Sequence, residues 1–202
     1  DVYAGYLAKK MGLPINKLIV ATNQNDILHR AISKGIYEVE KVIETISPSM
    51  DIQIASNFER LIYDLNNGDD SQTVSAMNDI KEKGKYILDQ KKLDKINNNF
   101  LSSKMSEEEV LKTIEQVYKK FDVVLDPHSA IGYGAFDKVN ISGHNIVLAT
   151  AHPCKFPDAI KNAINLNAEL PKELMYILNE KENYEIIDND IVKVKKHIKE
   201  RI

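Results

Sequence analysis

The stretch Asn145–Phe156 holds the most suggestive chemistry in the chain. An apolar run, Ile146-Val147-Leu148, stops at a small hydroxyl residue, Thr150; His152 and Pro153 follow, and a helix-like segment begins near Phe156. In a parallel sheet, ligands are met at the carboxyl ends of the strands, so a threonine there can offer its Oγ to a bound molecule. It can equally cap the next helix. His128 and His152 both border prolines at expected strand ends. Each has the chemistry to relay a proton near neutral pH, or to hold a turn through a backbone hydrogen bond. Asn57 and Arg60 are three residues apart on an expected helix and would share a face. The Arg60 guanidinium suits a phosphate or carboxylate, or else pairs with Glu59 or Asp64. Lys155 is a further candidate for an anion. Cys154 beside His152 does not make a zinc-ligand set, so no metal site is assigned.

These residues need a scaffold that alternates helices with short buried strands. Residues 2–11 place apolar side chains at 2, 3, 6, 7 and 11, a helical stripe closed by Gly12. Lys17–Thr22 reads as a strand, and 27–34 as a helix capped by Asn25 or Asp26 and ended by Gly35. The rhythm returns as a strand at 122–125 before a helix from Ser129, and a strand at 145–150 before a helix over 156–165. This is the pattern of an α/β fold, a parallel sheet flanked by helices.

Residues 68–120 read as a helical insertion beside that sheet. A capping box at Ser56–Glu59 precedes it, a helix is expected over 73–90, and Lys91–Ser103 reads as polar and irregular. A second capping box, Ser106–Glu109, opens a helix with Val110, Ile114 and Val117 inward. The tail, 171–202, reads as a helix, a short strand near Tyr184–Ile187 and a basic helix from Asp190.

Composition narrows the function classes. The 202 residues carry 27 basic and 30 acidic side chains, a formal charge of −3, which disfavours a nucleic-acid partner. No apolar run approaches the ~20 residues needed to cross a bilayer, so no membrane partner is expected. A single cysteine precludes an internal disulfide and fits a reducing, cytoplasmic setting.

Three blocks carry a family likeness. Ala149-Thr150-Ala151-His152-Pro153-Cys154-Lys155-Phe156 is similar to the Thr-Ala-His-Pro-Ala-Lys-Phe segment of the threonine synthases. Ser47-Pro48-Ser49-Met50-Asp51, followed by Ser56-Asn57-Phe58-Glu59-Arg60, resembles that family's Ser-Pro-Ser-Met-Asp…Ser-Asn-Phe-Glu-Arg block. Leu125-Asp126-Pro127-His128-Ser129-Ala130 resembles its Leu-Asp-Pro-His-Thr-Ala segment. The blocks fall in the family's order, and the likeness runs from Asp1 to near Ala163.

The resemblance implies part of a fold-type-II enzyme that uses pyridoxal 5′-phosphate to convert O-phosphohomoserine and water to threonine and phosphate. It implies a small-molecule substrate and a lyase of threonine biosynthesis. By the same likeness, the Thr150 hydroxyl faces the pyridine nitrogen. Asp1 follows a Gly-Asn-Phe-Gly loop that holds the cofactor phosphate, and would act through its main chain or as a cap. Arg60, Asn57 and Lys155 become candidate substrate contacts, and Cys154 stands where the family has alanine.

The family's Schiff-base lysine lies in a Ser-Phe-Lys-Asp segment upstream of that loop, so no catalytic residue is assigned here. Ser102-Ser103-Lys104 has a similar spacing but lacks the following aspartate and reads as a polar linker. The chain therefore looks like the carboxyl-terminal part of a longer enzyme, inactive alone and partnered by the amino-terminal part. The alternatives are one piece of a split enzyme, or a non-catalytic remnant.

Overall fold

Two parallel strands organise the molecule in a computed structural model that describes residues 2–139 and 141–202. Strand β1 (Leu18–Thr22) pairs with β4 (Phe100–Lys104), Leu18 opposite Phe100 and Thr22 opposite Lys104. Successive strand residues point to opposite faces, and the core follows that rule. Val20 joins a cluster with Ile27, Ala31, Phe58, Ile62, Ile80 and Ile96, whereas Ala21 packs against Met105, Ile114, Ile131 and Ile160. Helices α2 (Ile27–Lys34), α3 (Ser56–Leu65), α4 (Asp70–Lys83) and α5 (Gln90–Asn99) thus contribute to the core on one face. On the other stand α6 (Glu107–Phe121), α7 (Pro127–Val139) and α8 (Pro157–Ile164). This is the α/β arrangement expected, with a smaller parallel sheet.

The first helix, α1 (Val2–Lys10), packs on β1, and a separate antiparallel pair joins β2 (Ile36–Glu38) to β3 (Lys85–Ile87). At Gly35 the chain leaves α2 with φ 72°, a left-handed turn that favours glycine.

Several local expectations are corrected. The span 91–103 is not irregular: Asp89 caps α5 by accepting the Lys92 amide at 2.8 Å, and Phe100–Lys104 is the partner of β1 itself. Segment 68–120 is therefore not simply a helical insertion beside the sheet, because it contributes β3 and β4. Its first helix ends at Lys83, where Gly84 turns left-handed, and does not reach 90. Ser56 is the first residue of α3 and does not cap it; Ala55 occupies the cap position without a side-chain bond. At Ser106 the capping box does form, Ser106 Oγ accepting the Glu109 amide at 3.3 Å and Glu109 accepting the Ser106 amide at 2.8 Å.

Residues 122–125, 145–150 and 184–187 form no strands. β-Branched composition makes a strand favourable only where a neighbour supplies the ladder, and among the described residues none pairs with them.

One ion cluster ties α2 to β4. Asp26, 8 % exposed, accepts from Arg30 Nε at 2.8 Å and from Lys104 Nζ at 2.9 Å. Burial works to raise the Asp26 carboxyl, but hydrogen bonds from Lys104 and Arg30 outweigh it and hold the group below its ordinary value. A depressed carboxylate contributes stability that is complete above the ordinary range near pH 4 and fades as pH falls through the folded-state value. Asp26→Asn should therefore lower the melting temperature at pH 7, with the gap from the parent closing as pH drops below about 4. A gap independent of pH would contradict this.

Residues Leu170–Ile202 form a second unit. It holds a 3-10 helix, Lys172–Asn179, and α9 (Ile191–Lys199), whose amino end is capped by Asp190 accepting the Val192 and Lys193 amides at 2.9 Å each.

Candidate functional site

The dipeptide Asp126-Pro127 opens α7, proline taking the first helical position where its missing N–H costs nothing. Asp126 is 0 % exposed, and its carboxylate satisfies the helix start by accepting the His128 amide at 2.9 Å and the Ser129 amide at 3.4 Å. It also accepts from His128 Nδ1 at 3.0 Å and from the Ser129 hydroxyl. A buried charge persists when hydrogen-bonded on this scale.

Both neighbours pass the anchor outward. The Ser49 N–H donates to His128 Nε2 at 3.3 Å, which makes Nε2 the acceptor and leaves the ring hydrogen on Nδ1, facing Asp126. Both ring nitrogens of His128 are thereby engaged, its ring centroid 4.8 Å from that of Phe156. Ser129 Oγ accepts the Thr150 N–H at 3.1 Å.

A second polar network lies just past the carboxyl end of β1. Asn23, 2 % exposed, shares the two hydrogens of its Nδ2 among Asp51 Oδ1 at 2.7 Å, Thr45 Oγ1 at 2.8 Å and Ser47 Oγ at 2.9 Å. Asn25 donates to Asp51 Oδ1 at 3.0 Å and to the Ile43 carbonyl at 2.8 Å. Asp51 also takes the Thr45 N–H at 2.8 Å. The turn Ser47–Asp51 thus joins both networks, through Asp51 on one side and the Ser49 amide on the other.

Known proteins with this sequence pattern point one way. Residues 129–198 match the family described as "Threonine synthase, C-terminal". The threonine synthase of Pseudomonas aeruginosa is 39% identical over 197 residues, covering 96% of this chain and 42% of that protein. That of Saccharomyces cerevisiae is 39% identical over 229 residues, covering 100% of this chain and 45% of that protein. The solved structure of PLP-bound threonine synthase from Brucella melitensis matches with a TM-score of 0.89 and 42% identity, over 99% of this chain and 43% of that one. The chain belongs to the threonine synthase family. It spans less than half the length of the curated relatives it matches.

Within this chain the residues singled out from sequence fall in different places. Thr150 is exposed, held by its backbone N–H, and among the described residues no hydrogen bond engages its hydroxyl. Asp1 lies outside the described residues. Asn57 and Arg60 share the exposed face of α3, joined at 3.0 Å, while Asp64 is taken by Lys10 at 3.0 Å. Lys155 is exposed on a 3-10 turn, Pro153–Lys155. That turn packs with α8, whose core contacts lie on the sheet face opposite those of α3; no hydrogen bond among the described residues joins Arg60 to Thr150 or Lys155.

His152 Nδ1 accepts the Cys154 N–H at 3.2 Å, a local turn contact. Lys104 ends strand β4 and is not in a linker; its ammonium belongs to Asp26.

Asn23, Asn25, Thr45, Asp126 and Ser129 carry most of the polar geometry, yet sequence pattern gave none of them a place in the site; Asn25 was offered only as a cap of α2, where Asp26 instead takes the cap position without a side-chain bond. The Asp-Pro helix start was the one available signal. The asparagines gave none, since their partners come from a loop about 20 residues away.

Proposed function

We propose that this chain supplies one side of a pyridoxal-phosphate site that converts O-phosphohomoserine and water to threonine and phosphate, completed by an amino-terminal part. The observation that carries the reading is Thr150: its backbone is fastened to Ser129 while its hydroxyl stays exposed, within the segment most similar to the family.

The donor chemistry fits the cofactor. A neutral hydroxyl can meet a pyridine nitrogen without forcing a proton onto it, and the nearby carboxylate, Asp126, is buried and engaged. Helix α1 carries no acidic side chain in its first turn, as suits a phosphate at its amino end. Asp1 would add a main-chain N–H there.

The cofactor, when bound, supplies the electron sink for proton removal and phosphate elimination. The chain's own residues bind and orient: Thr150 sets the ring and Lys155 would hold an anionic group of the substrate, while Arg60 and Asn57, on the helix packed against the other sheet face, remain candidates for an anion apart from it. The lysine that carries the cofactor belongs to the amino-terminal part, so the chain alone is inactive. No described helix is long and apolar enough to cross a membrane, and the cytoplasm is the compartment proposed.

Mixing the chain with the amino-terminal part of the Pseudomonas aeruginosa relative and measuring phosphate release from O-phosphohomoserine tests this. Activity in the mixture and in neither piece alone is the expected result. A complex that forms and stays inactive would instead mark a non-catalytic remnant.

A further inference from the structure

We propose that Ser129, backed by Asp126, is a positioning residue that fixes Thr150 against the cofactor; this rests on Thr150 being the cofactor contact. Residues 144–150 have no regular structure and are exposed, so little else sets the height of Thr150 above the sheet. Among the described residues, the one hydrogen bond made by its backbone is donated to Ser129, which is 3 % exposed on α7. That helix packs directly on both β1 and β4. The Ser129 hydroxyl hydrogen is committed to Asp126 Oδ2, which turns the oxygen's lone pairs to the Thr150 N–H. Asp126 is itself immobilised by its further donors, the His128 and Ser129 amides and His128 Nδ1.

The chain Asp126–Ser129–Thr150 therefore ties the exposed hydroxyl to the rigid centre of the fold. The other branch, His128 to Ser49, ties the Ser47–Asp51 turn to the same carboxylate. Because His128 Nε2 already accepts a backbone N–H, this branch holds position and does not shuttle protons. A second anchoring layer of this kind sets how well a contact residue is aimed.

The experiment uses the complete enzyme, with the amino-terminal part present. Pyridoxal phosphate is titrated into cofactor-free protein and followed by absorbance and fluorescence for Thr150→Ala, Ser129→Ala, the double variant and Ser129→Thr. Thr150→Ala should weaken the cofactor. Ser129→Ala should weaken it roughly tenfold and shift the absorption of the bound cofactor. Ser129→Thr keeps the hydroxyl and should restore both. The double variant should bind no more weakly than Thr150→Ala, because Ser129 acts through Thr150.

Parent-like affinity for Ser129→Ala, or additive losses in the double variant, would overturn the proposal. If Thr150→Ala alone leaves affinity unchanged, the assignment of Thr150 fails first and the inference with it. Ser129→Cys, of similar shape but a weak acceptor, gives the same comparison if the alanine variant does not fold.

Discussion

Asp126→Ala is expected to cost about 3–5 kcal/mol of stability, enough to leave a protein of ordinary stability marginal. The residue is 0 % exposed, and its removal strands two helix-start amides, the His128 Nδ1–H and the Ser129 hydroxyl at once. Each buried donor left unpaired costs about 1–3 kcal/mol, reduced where water enters the space. The loss should spread outward. With His128 and Ser129 released, the Ser47–Asp51 turn and the Thr150 backbone lose their anchors together.

Asp126→Asn separates charge from geometry. Its remaining oxygen can still accept the two amides and the imidazole, and its NH2 can donate to Ser129 Oγ, which has a second lone pair for Thr150. A milder loss, of about 1–2 kcal/mol, is expected. Denaturant titration of both variants checks the order, and equal losses would mean that the charge matters more than the hydrogen bonds.

Where a signal was local, the sequence was readable. The first helix, the Gly35 stop of α2 and the Ser106–Glu109 capping box need only neighbours in the chain, and all three formed. Where the outcome depended on distant partners, it was not. Phe100–Lys104 looked polar because Ser102 and Ser103 carry no strand signature, yet lying beside β1 makes it a strand. Residues 122–125 looked like a strand but pair with no strand among the described residues.

The same divide runs through the site. Thr150 could be proposed because an apolar run stops there and a family-like block spans it. Asp126 and Ser129, which hold it, were hidden because the meaning of a polar residue depends on which donors surround it. Asn23 and Asp51 are 28 positions apart and meet only in the fold.

Ile146→Lys with Leu148→Lys is expected to weaken association with the amino-terminal part by more than about 100-fold. These residues are 88 % and 54 % exposed, while Val147 between them faces α7, its Cγ1 3.2 Å from where a Cβ on Gly132 would stand. Ile146 and Leu148 are thus left open to a partner on either side of Val147. Burying such a side chain is worth about 1.5–3 kcal/mol, and lysine would replace that gain with the cost of covering a charge.

The relatives are more than twice as long as this chain, which covers 42% of the Pseudomonas aeruginosa protein. The amino-terminal part proposed above is the expected cover for this exposed apolar segment. Titration calorimetry of each form against that amino-terminal part reads the affinity, and melting of the chain alone controls for folding. Because both side chains are exposed in the isolated chain, its own melting should hardly change. Parent-like affinity for the double lysine variant would place the joining surface elsewhere.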